Sequence, residues 1–413
     1  MFCEHLSLTN FRNYVRLELE LPPGATLLVG ANAQGKTNLL EAVYYLATTR
    51  SFRSAVDREL VNWSVAGDEL QFSRLAGRVQ HGRDTVAVEI VMRPTRLDGP
   101  GAGAAAGGSA PGANGATAAG PGGKRIRVNG APKRAIDLIG QINVVAFAPQ
   151  DVDLVCGSPA GRRRYLDITI SQIDHRYVRT LALYQKVLLQ RNSLLRLIRE
   201  GRGRPDQLGY WDEELASAGA FVIRRRAEAI TAMQRLAEGI HRSLTGLRER
   251  LDLRYAPNLP LRAGDATAET ADQAEVVARF RRELKSALAN ELRLAQSLVG
   301  PHRDDLIFQV DGVDMNAYGS RGQQRTVALS LKLAELQLMR EATGQLPILL
   351  LDDVMSELDE ARRSRVLGAI EPGQQVLATA TDLDQFRGSF AADATVLAVR
   401  HGTVAPVTAD RRP

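Results

Sequence analysis

The alternation of apolar and polar positions predicts strands near both ends of the chain and long helices between them. Residues 6–21 alternate apolar and polar side chains, which predicts a strand that ends at Pro22, Pro23 and Gly24. A short apolar run at 26–29 predicts a buried strand, and helical spacing of apolar residues at 39–46 predicts a helix after it. Further strands are predicted within 71–93, 125–129, 141–155, 306–310, 347–353 and 375–378, and helices at 168–199, 207–246, 271–298 and 326–339.

One segment between two predicted strands consists almost entirely of small residues. Residues 98–123 are mostly Gly, Ala and Pro. Such a segment buries too little apolar area to offset the entropy lost on ordering. We therefore expect a flexible surface loop at 98–123.

A phosphate-binding motif follows the strand at 26–29. Gly30, Gly35, Lys36 and Thr37 occupy the fixed positions of G-x-x-x-x-G-K-[ST]. Glycines let backbone N–H groups turn onto phosphate oxygens, and the next helix adds the positive end of its dipole. Lys36 would reach the β- and γ-phosphates, and the Thr37 hydroxyl would bind Mg²⁺. A chance match is the alternative, and the surrounding strand and helix argue against it. The predicted nucleotide-binding residues here are Gly30, Ala31, Asn32, Ala33, Gln34, Gly35, Lys36, Thr37 and Asn38.

An apolar strand ending in two carboxylates could supply the second half of a phosphoryl-transfer site. Asp352 and Asp353 follow the run Ile348, Leu349, Leu350, Leu351. Asp352 would bind Mg²⁺, and Asp353 would orient or deprotonate the attacking water. The carboxylates lie far from the loop in sequence, with the helical block between. For one ion to touch both, 1–164 and 299–413 must form one α/β domain, with 165–298 as an inserted helical domain.

A Gly-Ser turn at 318–325 precedes the predicted helix 326–339 and forms a second possible anion-binding helix N-terminus. One nucleotide has no use for two such sites in a single subunit. In a head-to-tail dimer, however, the Ser320 turn of one copy could cap the γ-phosphate bound to the other. Dimerisation would then depend on ATP.

The composition of the chain is that of a globular protein without a disulfide framework or a membrane span. The chain has 413 residues, 44% hydrophobic and 24% charged, as expected of a globular protein of two or three domains. Cys3 and Cys156 are too few for a disulfide framework and lack metal-ligand spacing. No apolar run is long enough to span a membrane, and the first residues do not resemble a signal peptide. We therefore expect a cytoplasmic protein.

Positive charge is concentrated in one segment. The net charge of +6 favours an anionic partner such as nucleic acid, and residues 161–204 contain eleven Lys and Arg against three Asp and Glu. Tyrosines are mixed with the arginines there, which favours DNA contact, while a solvated helix face remains the alternative. The candidate DNA contacts are Arg162, Arg163, Arg164, Arg176 and Arg179.

Several motifs together carry a family resemblance. The loop GANAQGKT, the turn SRGQQ, the strand ILLLDD and the following SELD resemble the ABC-type ATPases of the SMC and Rad50 group. Within that group NFRNY, SFR, GSP…RRRYLD, GPHRDDL and GSRGQQRTVALSLKLAE are similar to the RecF family of bacterial recombination mediators. The fold class implied is α/β, an ABC-type ATPase head with a mixed sheet assembled from both chain ends, plus an inserted α-helical arm.

The resemblance implies a weak, DNA-stimulated ATPase that uses ATP and Mg²⁺ and dimerises on ATP. It implies binding to single-stranded, double-stranded and gapped DNA, and work with RecR and RecO to help load RecA. The residues implied to act in catalysis are Lys36, Asp353 and Ser320. Those implied to contact the γ-phosphate from the second copy are Ser320, Gly322 and Gln323, and the implied metal ligands are Thr37, Asp352 and Gln150.

Two departures from the wider ABC pattern leave alternatives open. Asp353 stands where Glu is usual, and Arg321 stands where Gly is usual. The shorter acid could slow hydrolysis, so a DNA-binding module that uses nucleotide only to hold its dimer together is the second hypothesis. A transporter-type ABC subunit is the third, and the long basic arm argues against it.

Overall fold

The computed structural model describes residues 1–407 except 55, 63–71, 83, 94–122, 260–271, 383–385, 387–389 and 391–392. The strands are β1 (Phe2–Phe11), β2 (Tyr14–Glu20), β3 (Ala25–Val29), β4 (Ser73–His81), β5 (Asp84–Met92), β6 (Lys124–Val128), β7 (Ala131–Lys133), β8 (Val144–Phe147), β9 (Leu251–Ala256), β10 (Asp305–Val310), β11 (Val313–Asp314), β12 (Ile348–Asp352), β13 (Val376–Ala380), β14 (Thr395–Arg400) and β15 (Thr403–Pro406). The helices are α1 (Lys36–Thr48), α2 (Ala135–Leu138), α3 (Asp153–Cys156), α4 (Pro159–Ile173), α5 (His175–Arg199), α6 (Gly209–Leu244), α7 (Gln273–Leu294), α8 (Arg321–Thr343) and α9 (Glu360–Gly368).

The chain forms two compact units, each drawn from distant segments. The first comprises Met1–Ala146, Leu346–Glu357 and Ile370–Pro413, and the second comprises Phe147–Gln345 and Leu358–Ala369. These boundaries differ from the predicted division at 165 and 299, because α4, β10 and α8 share one hydrophobic core with α6. The predicted division into an ATPase head at 1–164 and 299–413 and a helical arm at 165–298 stays a prediction.

The first unit contains a six-stranded sheet built from both chain ends. Its order is β15-β14-β3-β13-β12-β8. β3 pairs in parallel with β13 and β14, and β13 pairs in parallel with β12. Every residue of β12 and β13 is buried, as expected for central parallel strands. β14 pairs antiparallel with β15, so the prediction of a mixed sheet assembled from both ends is confirmed.

A second sheet of the first unit is antiparallel, with order β2-β1-β4-β5-β6-β7. α1 contacts strands of both sheets, among them β4 and β12. Eleven of its thirteen residues are buried, so α1 is enclosed almost all round, as a core helix should be. This burial fixes the first turn of α1 relative to the end of β12.

The second unit combines helices with the small sheet β11-β10-β9. The sequence predicted a single helix over 168–199, which is wrong because the chain turns at Asp174. The Asp174 backbone is extended, and its carboxylate accepts hydrogen bonds from Arg176 N at 2.8 Å and Tyr177 N at 3.0 Å. An aspartate in this N-cap geometry ends α4 and starts α5. Strand β9 was not predicted.

A buried polar network joins α4 and α6 to the turn before β10. The Arg226 guanidinium donates to Asp167 Oδ1 at 2.8 Å and to Asp304 Oδ2 at 3.0 Å. Nearby, His302 lies between Tyr184 and Ser297. Its Nε2 donates to Ser297 O at 3.1 Å, so Nδ1, 2.6 Å from the Tyr184 hydroxyl, accepts from that hydroxyl. Burial lowers the pKa of His302 to about 4.

Two sequence predictions concern flexibility and membranes. The predicted Gly/Ala loop 98–123 lies, except for Gly123, outside the described residues. Among the helices that the structure describes, none combines the length and the apolar character needed to cross a membrane.

Candidate nucleotide-binding site

The phosphate-binding loop is packed too closely for any residue but glycine at two positions. Gly35 precedes α1 with φ of 116°, and a Cβ there would lie 2.6 Å from Asn13 Nδ2 and 2.9 Å from the Tyr14 hydroxyl. A Cβ on Gly30 would lie 2.4 Å from Val399 O. Contacts shorter than 3 Å would force the loop to move, so both glycines are required for its conformation.

Two turns that are remote in sequence hold the loop through Gln34. Asn13 Nδ2 and Gly402 N both donate to Gln34 O, at 2.9 and 3.2 Å. His401 N donates to Gln34 Oε1 at 2.9 Å, and the Tyr14 hydroxyl donates to Gly35 O at 3.0 Å. The loop is therefore preformed by the β1–β2 and β14–β15 turns. The motif NFRNY was predicted only as a mark of the family, and its role in supporting the loop was not predicted.

Lys36 is buried at the start of α1. Its ammonium donates to Gly30 O and Ala31 O. Burial lowers the pKa of Lys36, while the carboxylates of Asp353 and Asp352 oppose that shift. The Lys36 ammonium is therefore held inside the loop, and it faces Asp352 and Asp353, the two carboxylates predicted to belong to the site.

Asp352 brings the two ends of the chain together at the loop. Its Oδ1 accepts from the Thr37 hydroxyl at 2.6 Å, across 315 residues, and from the Thr379 hydroxyl at 3.0 Å. Burial raises the pKa of Asp352, and the two hydroxyl hydrogen bonds oppose the rise. A hydroxyl and a carboxylate oxygen side by side are the hard ligands that Mg²⁺ prefers, so these residues fit that ion.

Hydrogen bonds hold the backbone of Asp353, while one of its side-chain oxygens has no hydrogen-bond partner among the described residues. Its N donates to Thr379 Oγ1 at 2.8 Å, and the Ser356 hydroxyl donates to its O at 2.7 Å. Its φ is 52°, a left-handed conformation that Asp adopts more readily than most residues. Within the described part of the chain, Asp353 Oδ1 is buried and has no hydrogen-bond partner. Such an oxygen is suited to receive a proton or to orient a water molecule.

Thr379 bonds both acidic residues, the Asp352 carboxylate and the Asp353 backbone N–H, and this role was not predicted from the sequence. It is the penultimate residue of strand β13, which pairs in parallel with β12. Its position near the carboxyl end of a predicted strand could have indicated this role, because functional side chains collect at the carboxyl ends of adjacent parallel strands.

Comparison with known proteins gives the family. The AAA ATPase domain family matches residues 1–80. A protein from Chloroflexus aggregans, described as the DNA replication and repair protein RecF, is 47% identical over 409 residues, which span 97% of this chain and 99% of that protein. The chain belongs to the RecF family. A solved structure described as the recombination mediator protein RecF-ATP in the RecFOR pathway matches 98% of both chains, with 31% identity and a TM-score of 0.83.

A more distant structure supports the fold class of this RecF-family chain. The Smc head domain with an extended coiled coil from Pyrococcus furiosus matches 99% of this chain and 97% of that one, with a TM-score of 0.51 and 15% identity. That likeness concerns the fold alone. The predicted ABC-type ATPase head is confirmed by these neighbours.

The remaining loop residues occupy different environments in this RecF-family chain. Ala31, Asn32 and Ala33 are exposed at the tip of the loop. Asn38 Nδ2 donates to Asn13 Oδ1 at 2.8 Å, and Asn38 Oδ1 accepts from Arg53 at 3.0 Å. Asn38 therefore supports the loop from α1. Direct contact of these residues with nucleotide stays a prediction.

The other predicted site residues of this RecF-family chain lie in the second unit. Ser320 caps α8, which begins at Arg321, so the SRGQQ motif lies in the first turns of the helix and not in a preceding turn. Ser320 and Gly322 are exposed, and Gln323 is half-buried. Gln150 is half-buried in the short helix Pro149–Val152. Their roles toward phosphate and metal stay predictions.

The five candidate DNA contacts differ sharply in accessibility. Arg162 is 5% exposed and bonds both Asp305 oxygens, at 2.7 and 2.9 Å, so the prediction that it touches DNA does not fit the structure. Arg163 donates to Asp304 O and is half-buried, as is Arg164. In contrast, Arg176 and Arg179 are exposed on α5.

Proposed function

We propose that this RecF-family chain is an ATP-dependent DNA-binding protein of DNA replication and recombinational repair. The observation that carries the proposal is the contact of Thr37 with Asp352, since it joins the two chain ends into one site suited to Mg²⁺ and phosphate. The relatives, described as DNA replication and repair proteins and as RecF-ATP, support the role and the nucleotide.

Each residue of the site has a distinct task in the proposed ATP hydrolysis. Backbone N–H groups of 30–37 and the Lys36 ammonium bind and orient the phosphates. Thr37 and Asp352 would hold Mg²⁺, with Gln150 as a further candidate ligand, and the bound ion would neutralise charge developing on the phosphate oxygens. Asp353 orients the attacking water and takes its proton. Slow turnover is expected, since an aspartate reaches less far than the usual glutamate.

ATP-dependent dimerisation forms part of the proposal. The α8 N-terminus carries exposed Ser320 and Gly322, which suits it to cap a phosphate held by a second copy in a head-to-tail arrangement. Ser320 Oγ accepts from Gln323 N at 3.3 Å, and a hydroxyl that accepts one hydrogen bond can still donate its own proton to a phosphate oxygen. Hydrolysis would remove the γ-phosphate, and the dimer would then dissociate into monomers.

DNA binding is placed on the exposed face of α5. This helix contains no acidic residue, and its exposed cations are Arg176, Arg179, Lys186, Arg196 and Arg199. Side chains of this kind bind phosphates without reading base sequence. We propose that the protein binds single-stranded, double-stranded and gapped DNA through this face. The description of a relative as a recombination mediator in the RecFOR pathway supports cooperation with RecR and RecO. Help with the loading of RecA is a further part of the proposal.

ATP turnover measured with and without gapped DNA tests the proposal. Slow phosphate release that rises with DNA is expected, together with sedimentation as a dimer only when ATP is present. The second candidate, a nucleotide-gated DNA-binding module with negligible hydrolysis, is favoured by Asp353 in place of Glu. DNA binding and ATP-dependent dimerisation without any phosphate release would establish that candidate instead.

A further inference from the structure

A chain of four side chains leads from the interior of the second unit to the N-terminus of α8. Gln323 donates through Nε2 to Glu249 Oε1 at 3.4 Å. The other carboxylate oxygen, Glu249 Oε2, lies 3.2 Å from His241 Nε2. His241 is fully buried on α6, and its Nδ1 lies 3.0 Å from Ser330 Oγ. Gln323 and Ser330 are both on α8, seven residues apart and hence on one face of the helix.

The side-chain amide of Gln323 can complete the cap of α8 in only one of its two orientations. Its Oε1 accepts from Ser320 N at 3.1 Å and completes the reciprocal cap in which Ser320 Oγ accepts from Gln323 N. If the amide turned over, its NH₂ group would face the Ser320 N–H, and the cap would lose one of its two hydrogen bonds. The orientation of this amide therefore decides whether the Ser320 turn is held.

A carboxylate beside the amide selects the capping orientation. Glu249 accepts hydrogen bonds and cannot donate them when ionised, so it requires the NH₂ group of Gln323 on its side. The oxygen of Gln323 is thereby directed to Ser320. Glu249 lies on the loop between α6 and β9 with its side chain 26% exposed, and buried His241 fixes its position relative to α8.

We infer that Glu249, supported by His241, is a positioning residue for the phosphate-capping turn at Ser320. The inference rests on the proposed function, in which that turn completes a nucleotide pocket in a second copy of the chain. Glu249 acts on the dimer through Gln323 and Ser320. It is not expected to affect nucleotide binding by the loop at 30–37, which belongs to the first unit.

Glu249→Ala is the direct test, with the ATP-dependent dimer dissociation constant measured by sedimentation. Loss of a charge-assisted hydrogen bond is expected to weaken each composite pocket about 10-fold. A symmetric head-to-tail dimer has two such pockets, so its dissociation constant should rise about 100-fold. Glu249→Gln keeps a hydrogen-bonding partner but offers both a donor and an acceptor, so its dimer should fall between Glu249→Ala and wild type.

Glu238→Ala is the matched control. Glu238 lies on α6 and pairs only with Arg250, which is 74% exposed, at 3.5 Å, among the contacts the structure gives for it. This variant should dimerise like wild type. For all three variants, calorimetric affinity for ATP at concentrations where the protein is monomeric should match wild type, because a general folding defect would lower it together with dimerisation.

Ser320→Arg separates failure of the inference from failure of the proposed function. If Ser320→Arg blocks the dimer while Glu249→Ala dimerises as tightly as wild type, the positioning role of Glu249 is refuted and the composite pocket stands. If Ser320→Arg dimerises like wild type, the composite pocket itself is refuted, and the inference with it.

Discussion

Replacing Asp353 by Asn removes one charge from the site with little structural change. The φ of 52° at this position suits Asn as well as Asp. The backbone contacts with Thr379 and Ser356 do not involve the altered group. The variant is therefore expected to fold and to bind ATP like wild type, since Lys36 and Asp352 keep their contacts.

The expected magnitude follows from the environment of the lost carboxylate. Asp353 Oδ1 is buried and, in the described chain, has no hydrogen-bond partner that could take over its role. Loss of a positioned base typically slows a reaction about 10²- to 10⁴-fold, equivalent to about 3–5 kcal/mol of activation free energy. Phosphate release should fall at least about 100-fold. The ATP-bound dimer should persist, because hydrolysis no longer dissolves it.

The assay combines single-turnover phosphate release with sedimentation of the same sample over time. Asp84→Asn, at an exposed position at the start of β5, serves as a charge-matched control and should hydrolyse ATP at the wild-type rate. Hydrolysis by Asp353→Asn within about 3-fold of wild type would falsify the assignment of Asp353 as the base. A variant that binds ATP but sediments as a monomer would contradict the coupling of hydrolysis to dimer release.

Three further predictions concern the loop, the arginines and pH. Lys36→Ala should abolish ATP binding in calorimetry, and retained affinity would contradict the loop assignment. Arg162→Gln should lower the free energy of unfolding by about 2–3 kcal/mol without changing the salt dependence of DNA binding. Arg179→Gln, in contrast, should lower the slope of log affinity against log salt by about 1. His302 has a pKa lowered to about 4 in the folded state against 6.5 unfolded, so the unfolded state binds more protons on acidification. Stability should fall by about 2 kcal/mol between pH 7 and pH 5 in urea unfolding. His302→Gln should remove that fall in stability. If the variant loses as much stability as wild type between pH 7 and pH 5, His302 is not its cause.

Sequence patterns predicted the site better than they predicted local breaks in the helices. The loop at 30–37 and the strand ending at Asp352 could be found because each has a short motif and a clear apolar strand. Contact between the loop and the end of this strand could be predicted because one metal ion must touch both. The break at Asp174 was missed because the apolar spacing continues through it, and only the capping geometry of that aspartate reveals the turn.

The charge pattern alone could not separate surface arginines from internal ones. Arg162 and Arg179 lie in the same basic segment, yet Arg162 is buried against Asp305, a partner supplied 143 residues later in the chain. The support of the loop by Asn13 and Gly402 was hidden for the same reason. Contacts between distant segments depend on the register of the sheets, which local periodicity does not determine.

The central claim, a nucleotide pocket completed by a second copy, is tested most directly by mixing two inactive variants. Lys36→Ala keeps an intact Ser320 turn, and Ser320→Arg keeps an intact loop, so a head-to-tail heterodimer would contain one complete pocket. The account predicts that each variant alone is inactive and that their equimolar mixture regains DNA-stimulated phosphate release. A mixture that stays inactive at concentrations where sedimentation shows the heterodimer would contradict it.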